Sequence, residues 1–177
     1  MRHIDRETTI VELAKCKRVL HLGCVDHDFA DESDLVRRYT RSWHAKIEGV
    51  ASEVVGVDMN AEALAEYEQA GVGVNLVVGN VEQLETLVLC AVSDVIVSGN
   101  VIEHLSNPGR IVDGMRALSH STTTILVTTL HAVGLPQYVR GRFSESKDHA
   151  MTFNGPSLAN LLERSGFRVV SVDTSSP

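Results

Sequence analysis

The sequence predicts an α/β fold whose mostly parallel sheet is doubly wound, with helices on both faces. Short apolar runs rich in β-branched residues alternate with longer amphipathic segments, and this alternation is typical of a parallel sheet covered on both sides. Glycine, asparagine or aspartate follows most of these runs, as expected where strands end. The chain has 177 residues, 44% of them hydrophobic, which suffices for one domain with a closed core. We therefore expect residues 1–177 to form a single Rossmann-like domain.

Six strands and five helices follow from the local patterns. The predicted strands are residues 19–22, 53–57, 74–78, 94–97, 123–128 and 167–172. Thr9 and Glu12 form a capping-box pattern that predicts an N-terminal helix within residues 1–17. Leu35, Tyr39, Trp43 and Ile47 recur every four residues and predict one continuous helix. Three further helices are predicted at residues 61–70, from Asn107-Pro108 onward, and at 156–165.

Composition and charge exclude several classes of function. The net charge of −7 argues against a broad nucleic-acid-binding face. No apolar run is long enough to cross a membrane. The three cysteines, Cys16, Cys24 and Cys90, lack disulfide or metal-ligand spacing, which favours a reducing compartment. We expect a cytoplasmic protein without nucleic-acid or membrane partners.

Two strand ends predict a nucleoside-binding site. Gly23 directly follows the first strand and lets the backbone approach a ligand, although a packing role at this corner would also explain it. Asp58 ends the second strand, where a carboxylate accepts hydrogen bonds from ribose hydroxyls. Asn80 and Val81 form either an ordinary turn or part of a purine pocket. No G-x-G-x-x-G or Walker lysine pattern is present, so a cofactor with ribose and purine but no pyrophosphate fits better than a dinucleotide.

Glu103 and His104 follow the fourth strand and allow two interpretations. They are either solvated residues of a first helical turn or side chains that line the site, with His104 handling a proton. The eight histidines show no metal-ligand spacing such as HExxH, so we expect no metal site. Residues 131–155 have no clear period and predict a long loop on the substrate side.

Four motifs resemble those of the class I S-adenosylmethionine-dependent methyltransferases. The motifs are Val19-Leu20-His21-Leu22-Gly23-Cys24, Val55-Gly56-Val57-Asp58, the segment of residues 94–108 with its Glu-His-Leu sequence, and the closing segment from His149 to Phe167. The likeness is to the small-molecule branch of that family. It implies methyl transfer from S-adenosylmethionine to an oxygen or nitrogen atom of a sugar or natural product.

The resemblance also implies roles for individual residues. Cofactor contacts are implied for His21, Gly23, Cys24, Asp58, Met59, Asn80, Val81 and Asn100. His104 is the first candidate for a catalytic base and His149 the second. Glu103, His131 and Phe153 are implied on the substrate side.

Departures from the family pattern leave alternatives open. His21 stands where relatives usually carry an acid, and Val25 and His27 stand where they carry further glycines. A degenerate fold that binds cofactor or a protein partner without turnover is therefore the main alternative, and a nicotinamide-dependent oxidoreductase is a second. The resemblance implies a seven-stranded sheet in the order 3-2-1-4-5-7-6, with the seventh strand antiparallel, whereas the sequence ends at Pro177. We thus expect the C-terminal strands to be incomplete, or the sheet edge to be covered by a second subunit in a homodimer.

Overall fold

Five parallel strands form one sheet in the computed structural model of the protein, in the order β3-β2-β1-β4-β5. The structure describes residues 3–25, 35–89, 93–130 and 148–175. The strands are β1 (Arg18–Leu22), β2 (Glu53–Asp58), β3 (Leu76–Val78), β4 (Val95–Gly99) and β5 (Thr124–Thr128). This sheet confirms the predicted α/β fold and its first five strands.

Helices precede or follow these strands along the chain. They are α1 (Arg6–Ala14), α2 (Leu35–Arg41), α3 (Trp43–Glu48), α4 (Ala61–Gln69), α5 (Pro108–Ala117) and α6 (Gly155–Arg164). Two 3₁₀ segments, Val81–Thr86 and Ile102–His104, follow β3 and β4. As predicted, Asn107 caps α5 and Pro108 is its first residue, because proline has no N–H to lose there. No helix among the described residues is long and apolar enough to cross a membrane.

The two faces of β1 belong to different cores because successive side chains of a strand point in opposite directions. Leu20 and Leu22 pack into the main core, which includes Ile111 and Met115 of α5. Val19 faces the other way, into a second core that includes Ile10 of α1 and Ile47 of α3. The central strand is thus covered on both sides, and its carboxyl end is held rigidly.

The predicted start of the first helix is wrong. Asp5, not Thr9, caps α1, and its side chain accepts the backbone N–H of Thr8 at 2.7 Å. The capping pattern at Thr9 and Glu12 lies inside the helix, where the Thr9 hydroxyl instead donates to the carbonyl oxygen of Asp5 at 2.7 Å. An aspartate three residues upstream of a free N–H is the stronger cap.

The predicted continuous helix around Tyr39 and Trp43 is also wrong. The chain forms α2 and α3 instead, separated at Ser42, whose backbone is extended (φ −65°, ψ 156°). The Ser42 hydroxyl accepts the backbone N–H of Ala45 at 3.1 Å and starts a new helix. Serine caps a helix better than it continues one. A repeat of apolar residues every four positions does not reveal such a break.

The sixth predicted strand, residues 167–172, is not a strand in the structure. Val170 is 84% exposed, although the apolar pattern predicted its burial. Further along, Thr174 forms a single parallel bridge with His3, and its carbonyl oxygen accepts the N–H of Ile4 at 2.8 Å. A strand requires a hydrogen-bonded neighbour, which a local sequence pattern cannot guarantee. The order matches the five strands 3-2-1-4-5 of the implied sheet, and no sixth or seventh strand occurs in the described part of the chain.

Candidate active site

The strand order of the sheet reverses at β1, which places a binding crevice at its carboxyl end. Leu22, the last residue of β1, pairs with Val57 of β2 and with Ser98 of β4. The residues that follow these three strands therefore meet at one edge of the sheet. In open parallel sheets this switch point is where ligands bind.

Asp58 organises the turn after β1. One of its carboxylate oxygens accepts the backbone N–H of Val25 at 2.9 Å, and the other accepts that of Asn60 at 2.9 Å. The side chain is 7% exposed. Each oxygen keeps a second lone pair, so the same carboxylate has acceptor capacity left for ligand hydroxyls. The structure brings Asp58 and the Gly23 turn together, as the sequence predicted.

Gly23 has φ +72°, a conformation that residues with a side chain rarely adopt. A Cβ atom there would collide with Cγ2 of Val101, in the loop after β4. The Gly23 N–H donates to the carbonyl oxygen of Val57 at 2.8 Å. Packing against Val101 therefore already requires glycine, independently of any ligand.

Apolar side chains are exposed at the ends of β2 and β3. Met59 is 76% exposed and Val78 is 55% exposed, and Val78 pairs with Asp58 in the sheet. Asn80 and Val81, which were predicted to form part of a purine pocket, do not offer such an exposed apolar surface. Val81 is buried, and the Asn80 side chain accepts the N–H of Glu82 at 2.8 Å. Met59 and Val78 thus offer an apolar surface beside Asp58. Val78 was not singled out by the sequence because a short strand end carries no distinctive motif.

Asn100 lies in the left-handed region (φ +51°), directly after β4. Its backbone N–H donates to the carbonyl oxygen of Thr128 at 3.0 Å. Its side-chain oxygen lies 3.4 Å from Nη1 of Arg6 and 3.4 Å from the hydroxyl of Thr128. Arg6 was not predicted from the sequence, because α1 brings it to Asn100 from 94 residues away. Arg6 also lies over the ring of Trp43, 4.9 Å from its centroid.

His21 and Cys24, both predicted to contact the cofactor, are buried. The Nδ1 atoms of His21 and His44 lie 3.2 Å apart, so the N–H of one ring donates a hydrogen bond to the nitrogen of the other. Burial lowers the pKa of His21 well below its usual range and that of His44 to about 4. Burial, with the nearby Asp58 carboxylate, raises the pKa of the Cys24 thiol. All three side chains are therefore uncharged at neutral pH.

Glu103, His104 and His149 come together beyond β4. One nitrogen or oxygen atom from each lies within 4.8 Å of the other two. The rings of His104 and His149 meet edge to face, with centroids 4.8 Å apart. Glu103 is buried, whereas His104 is exposed. The structure thus joins the predicted base candidates to the predicted substrate-side acid.

The other two predicted substrate-side residues have different outcomes. Phe153 is buried in the main core together with Ile102 and Leu105, and not in the open part of the site. His131 lies outside the described residues, as does most of the predicted loop of residues 131–155. The described end of that loop begins at Asp148 and carries His149.

Comparison with known families agrees with this geometry. A family model described as a methyltransferase domain matches residues 4–172. The chain belongs to this methyltransferase family. The match confirms the family predicted from the sequence, the class I S-adenosylmethionine-dependent methyltransferases. No curated protein sequence matches the chain significantly.

Solved structures of methyltransferases have the same fold. A SAM-dependent methyltransferase from Archaeoglobus fulgidus is 21% identical, with a TM-score of 0.62 over 93% of this chain and 70% of that one. The 1,6-didemethyltoxoflavin-N1-methyltransferase of Burkholderia thailandensis is 19% identical, with a TM-score of 0.62 over 93% and 67%. The N-methyltransferase NodS of Bradyrhizobium japonicum is 11% identical, with a TM-score of 0.58 over 90% and 72%. At these identities the likeness establishes the fold.

Proposed function

We propose that this methyltransferase transfers the methyl group of S-adenosylmethionine to an oxygen or nitrogen atom of a small molecule of the sugar or natural-product type. The observation that carries the proposal is the pairing of Asp58 with the Gly23 turn at the switch point of the sheet. A buried carboxylate with spare acceptor capacity suits a ribose diol.

The proposed cofactor position follows from the residues around Asp58. The ribose hydroxyls bind the Asp58 carboxylate, and the adenine lies on the exposed side chains of Met59 and Val78. The methionine part lies along the turn after Gly23, towards Asn100. Arg6 supplies a positive charge near Asn100, where the carboxylate of the methionine part would find a partner.

Methyl transfer from a sulfonium is an in-line displacement that depends mainly on positioning. The C–S bond breaks as the bond to the acceptor forms, and the sulfur of S-adenosylhomocysteine leaves as a neutral thioether. An alcohol acceptor must also lose its proton, and His104 and His149 are the proposed bases. Both lie beyond β4, next to the proposed position of the methyl group.

A small-molecule acceptor agrees with the ligand bound to an enzyme of similar fold and with the net charge of this chain. The Burkholderia thailandensis enzyme was solved with bound 1,6-didemethyltoxoflavin and S-adenosylhomocysteine, and we extend the substrate class to this chain. The net charge of −7 disfavours a nucleic-acid acceptor. The proposed location is the reducing cytoplasm, where exposed Cys16 and buried Cys24 stay as free thiols.

Thermal unfolding with S-adenosylmethionine, S-adenosylhomocysteine, NAD and NADP tests the proposal. A ligand at a hundred times its dissociation constant adds about 2.7 kcal/mol of stability, which raises the melting temperature measurably. We expect a shift with the two adenosyl ligands alone. A shift with NAD or NADP alone would favour the oxidoreductase, and no shift with any ligand would overturn the proposed cofactor.

The second candidate is a fold that binds the cofactor without turnover. It is favoured by the turn after Gly23, where Val101 occupies the space beside the glycine and His21 replaces the usual acid. Binding of S-adenosylhomocysteine, together with no methyl transfer to a broad panel of alcohols and amines, would support it. Transfer of a labelled methyl group to any acceptor would exclude it.

A further inference from the structure

The carboxylate of Glu103, in the 3₁₀ segment after β4, is buried. The residue is 1% exposed, and neither carboxylate oxygen has a hydrogen-bond partner within the described ranges. A charged carboxylate in this position costs several kcal/mol unless another group compensates its charge.

Two imidazoles lie next to this carboxylate. One ligand atom from each of Glu103, His104 and His149 lies within 4.8 Å of the other two. A point in the middle of a triangle with sides of 4.8 Å is about 2.8 Å from each corner. Zinc binds imidazole nitrogen and carboxylate oxygen at about 2.0–2.2 Å. Side-chain movements of less than about 1 Å would therefore bring all three atoms to bonding distance of a cation.

The hydrogen bond of His104 selects the tautomer that a metal requires. Nδ1 of His104 lies 3.0 Å from the carbonyl oxygen of Asp148. Because a carbonyl oxygen only accepts, Nδ1 carries the proton and Nε2 keeps its lone pair. A ligating histidine typically donates its other ring N–H in this way to a backbone carbonyl, which fixes the orientation of the ring.

Backbone contacts hold His149 opposite this ring. The N–H groups of Ala150 and Met151 donate to the carbonyl oxygen of Glu103 at 2.9 and 3.1 Å. Together with the bond from His104 to the carbonyl oxygen of Asp148, these contacts tie residues on both sides of His149 to the 3₁₀ segment that carries Glu103 and His104. The three side chains belong to one preorganised unit, although 45 positions separate His104 from His149 in the sequence.

We propose that Glu103, His104 and His149 bind a divalent cation of the zinc type. Two imidazoles and one carboxylate are a ligand set that zinc uses in catalytic sites, and it leaves a coordination position open. Since His104 is exposed, that position faces solvent beside the proposed methyl site. Mg²⁺ prefers oxygen ligands and binds this set weakly. No metal site was predicted from the sequence, because that prediction used the spacing of the histidines along the chain. Glu103, His104 and His149 meet only in the folded protein.

The part of the proposal that concerns the acceptor rests on the proposed function. An acceptor hydroxyl bound at the open position loses its proton to water more readily, because the cation stabilises the resulting oxyanion. The oxygen then forms its bond to the methyl carbon as the C–S bond breaks. With the cation bound, both imidazole lone pairs are engaged, so activation of the hydroxyl by the cation replaces the base role proposed above for His104 and His149.

Calorimetric titration of the metal-free protein with Zn²⁺, and separately with Mg²⁺, tests the cation site. We expect one tight equivalent of Zn²⁺ and at least a hundredfold weaker binding of Mg²⁺. Glu103→Gln and His149→Ala should each lower the Zn²⁺ affinity by more than the ten- to hundredfold typical of losing an outer-shell partner. His120→Ala, which removes a histidine on the distant turn before β5, is the matched control and should retain the wild-type affinity.

Thermal unfolding of the same variants tests the cation site without a measurement of activity. Glu103→Gln removes the buried charge, so without metal it should melt at or above the wild-type temperature, and Zn²⁺ should no longer raise that temperature. Zn²⁺ binding that is absent, or unchanged in both Glu103→Gln and His149→Ala, would overturn the site.

Titration with S-adenosylhomocysteine separates this proposal from the proposed function. We expect the metal-free protein and Glu103→Gln to bind S-adenosylhomocysteine like the wild type. If that ligand binds and Zn²⁺ does not, the cation site is wrong and the proposed cofactor stands. If Zn²⁺ binds and S-adenosylhomocysteine does not, the proposed function fails and the cation site stands.

Discussion

The carboxylate of Asp58 accepts the backbone N–H of Val25 at 2.9 Å and so joins the end of β2 to the turn after β1. The two residues are 33 positions apart in the sequence. One side chain therefore shapes the turn and presents its remaining lone pairs to the crevice. Loss of its charge should affect both the fold and the ligand.

Asp58→Asn tests this double role. The amide keeps one oxygen acceptor but loses the charge, so we expect S-adenosylhomocysteine affinity to fall by about 2 kcal/mol, roughly thirtyfold. Calorimetric titration measures the loss. Asp113→Asn, at an exposed aspartate on α5, is the control and should bind normally. Equal affinities in the two variants would contradict the ribose assignment.

Arg6→Ala tests whether α1 contributes to the cofactor site. The bond to Asn100 uses one of the five N–H donors of the guanidinium, and we expect its loss to weaken S-adenosylhomocysteine binding about tenfold. Lys46→Ala is the control, because Lys46 also lies 4.9 Å from the Trp43 ring centroid, but its ammonium group pairs with Glu7 at 2.8 Å. If both variants bind alike, Arg6 only packs on Trp43.

Gly23→Ala should destabilise the protein in two separable ways. The positive φ costs about 1–2 kcal/mol for a residue with a side chain, and the collision with Val101 adds about 1–3 kcal/mol. Urea unfolding measures the sum. In a Val101→Ala background the collision is relieved, so Gly23→Ala should cost less there. An identical cost in both backgrounds would show that Val101 does not restrict the position.

Acid should destabilise the protein through the buried histidine pair. The pKa of His44 is about 4 when folded and 6.5 when unfolded, so between these values the unfolded chain binds more protons. The free energy of unfolding therefore falls as pH decreases from 6.5 towards about 4, by an amount on the order of 3 kcal/mol. His21, whose pKa is also lowered by burial, acts in the same direction.

Urea unfolding at several pH values checks this window. His44→Gln should flatten the dependence between pH 6.5 and 4. Asp94 acts at lower pH, because hydrogen bonds from Arg18 hold the pKa of its carboxyl below the usual 3.8. A His44→Gln variant with the full wild-type slope would exclude the pair as the cause.

The sequence by itself determined the sheet and the two strand ends at its centre. Strand propensity, alternation with helices and the turn residues after each strand are local properties, so Gly23 and Asp58 could be placed at the carboxyl ends of β1 and β2. The family motifs have the same local character. The Asn107-Pro108 start of α5 was predicted correctly because capping depends on a few adjacent residues.

The tertiary structure decided which distant side chains meet and which strands find partners. Arg6 reaches Asn100, and His149 reaches Glu103, because α1 and the segment from Asp148 pack against the end of β4. Residues 167–172 have the composition of a strand, but strand formation depends on a neighbouring backbone that the local pattern does not supply. Contacts between remote residues depend on how whole elements pack against one another. The periodicity within one element does not indicate that packing.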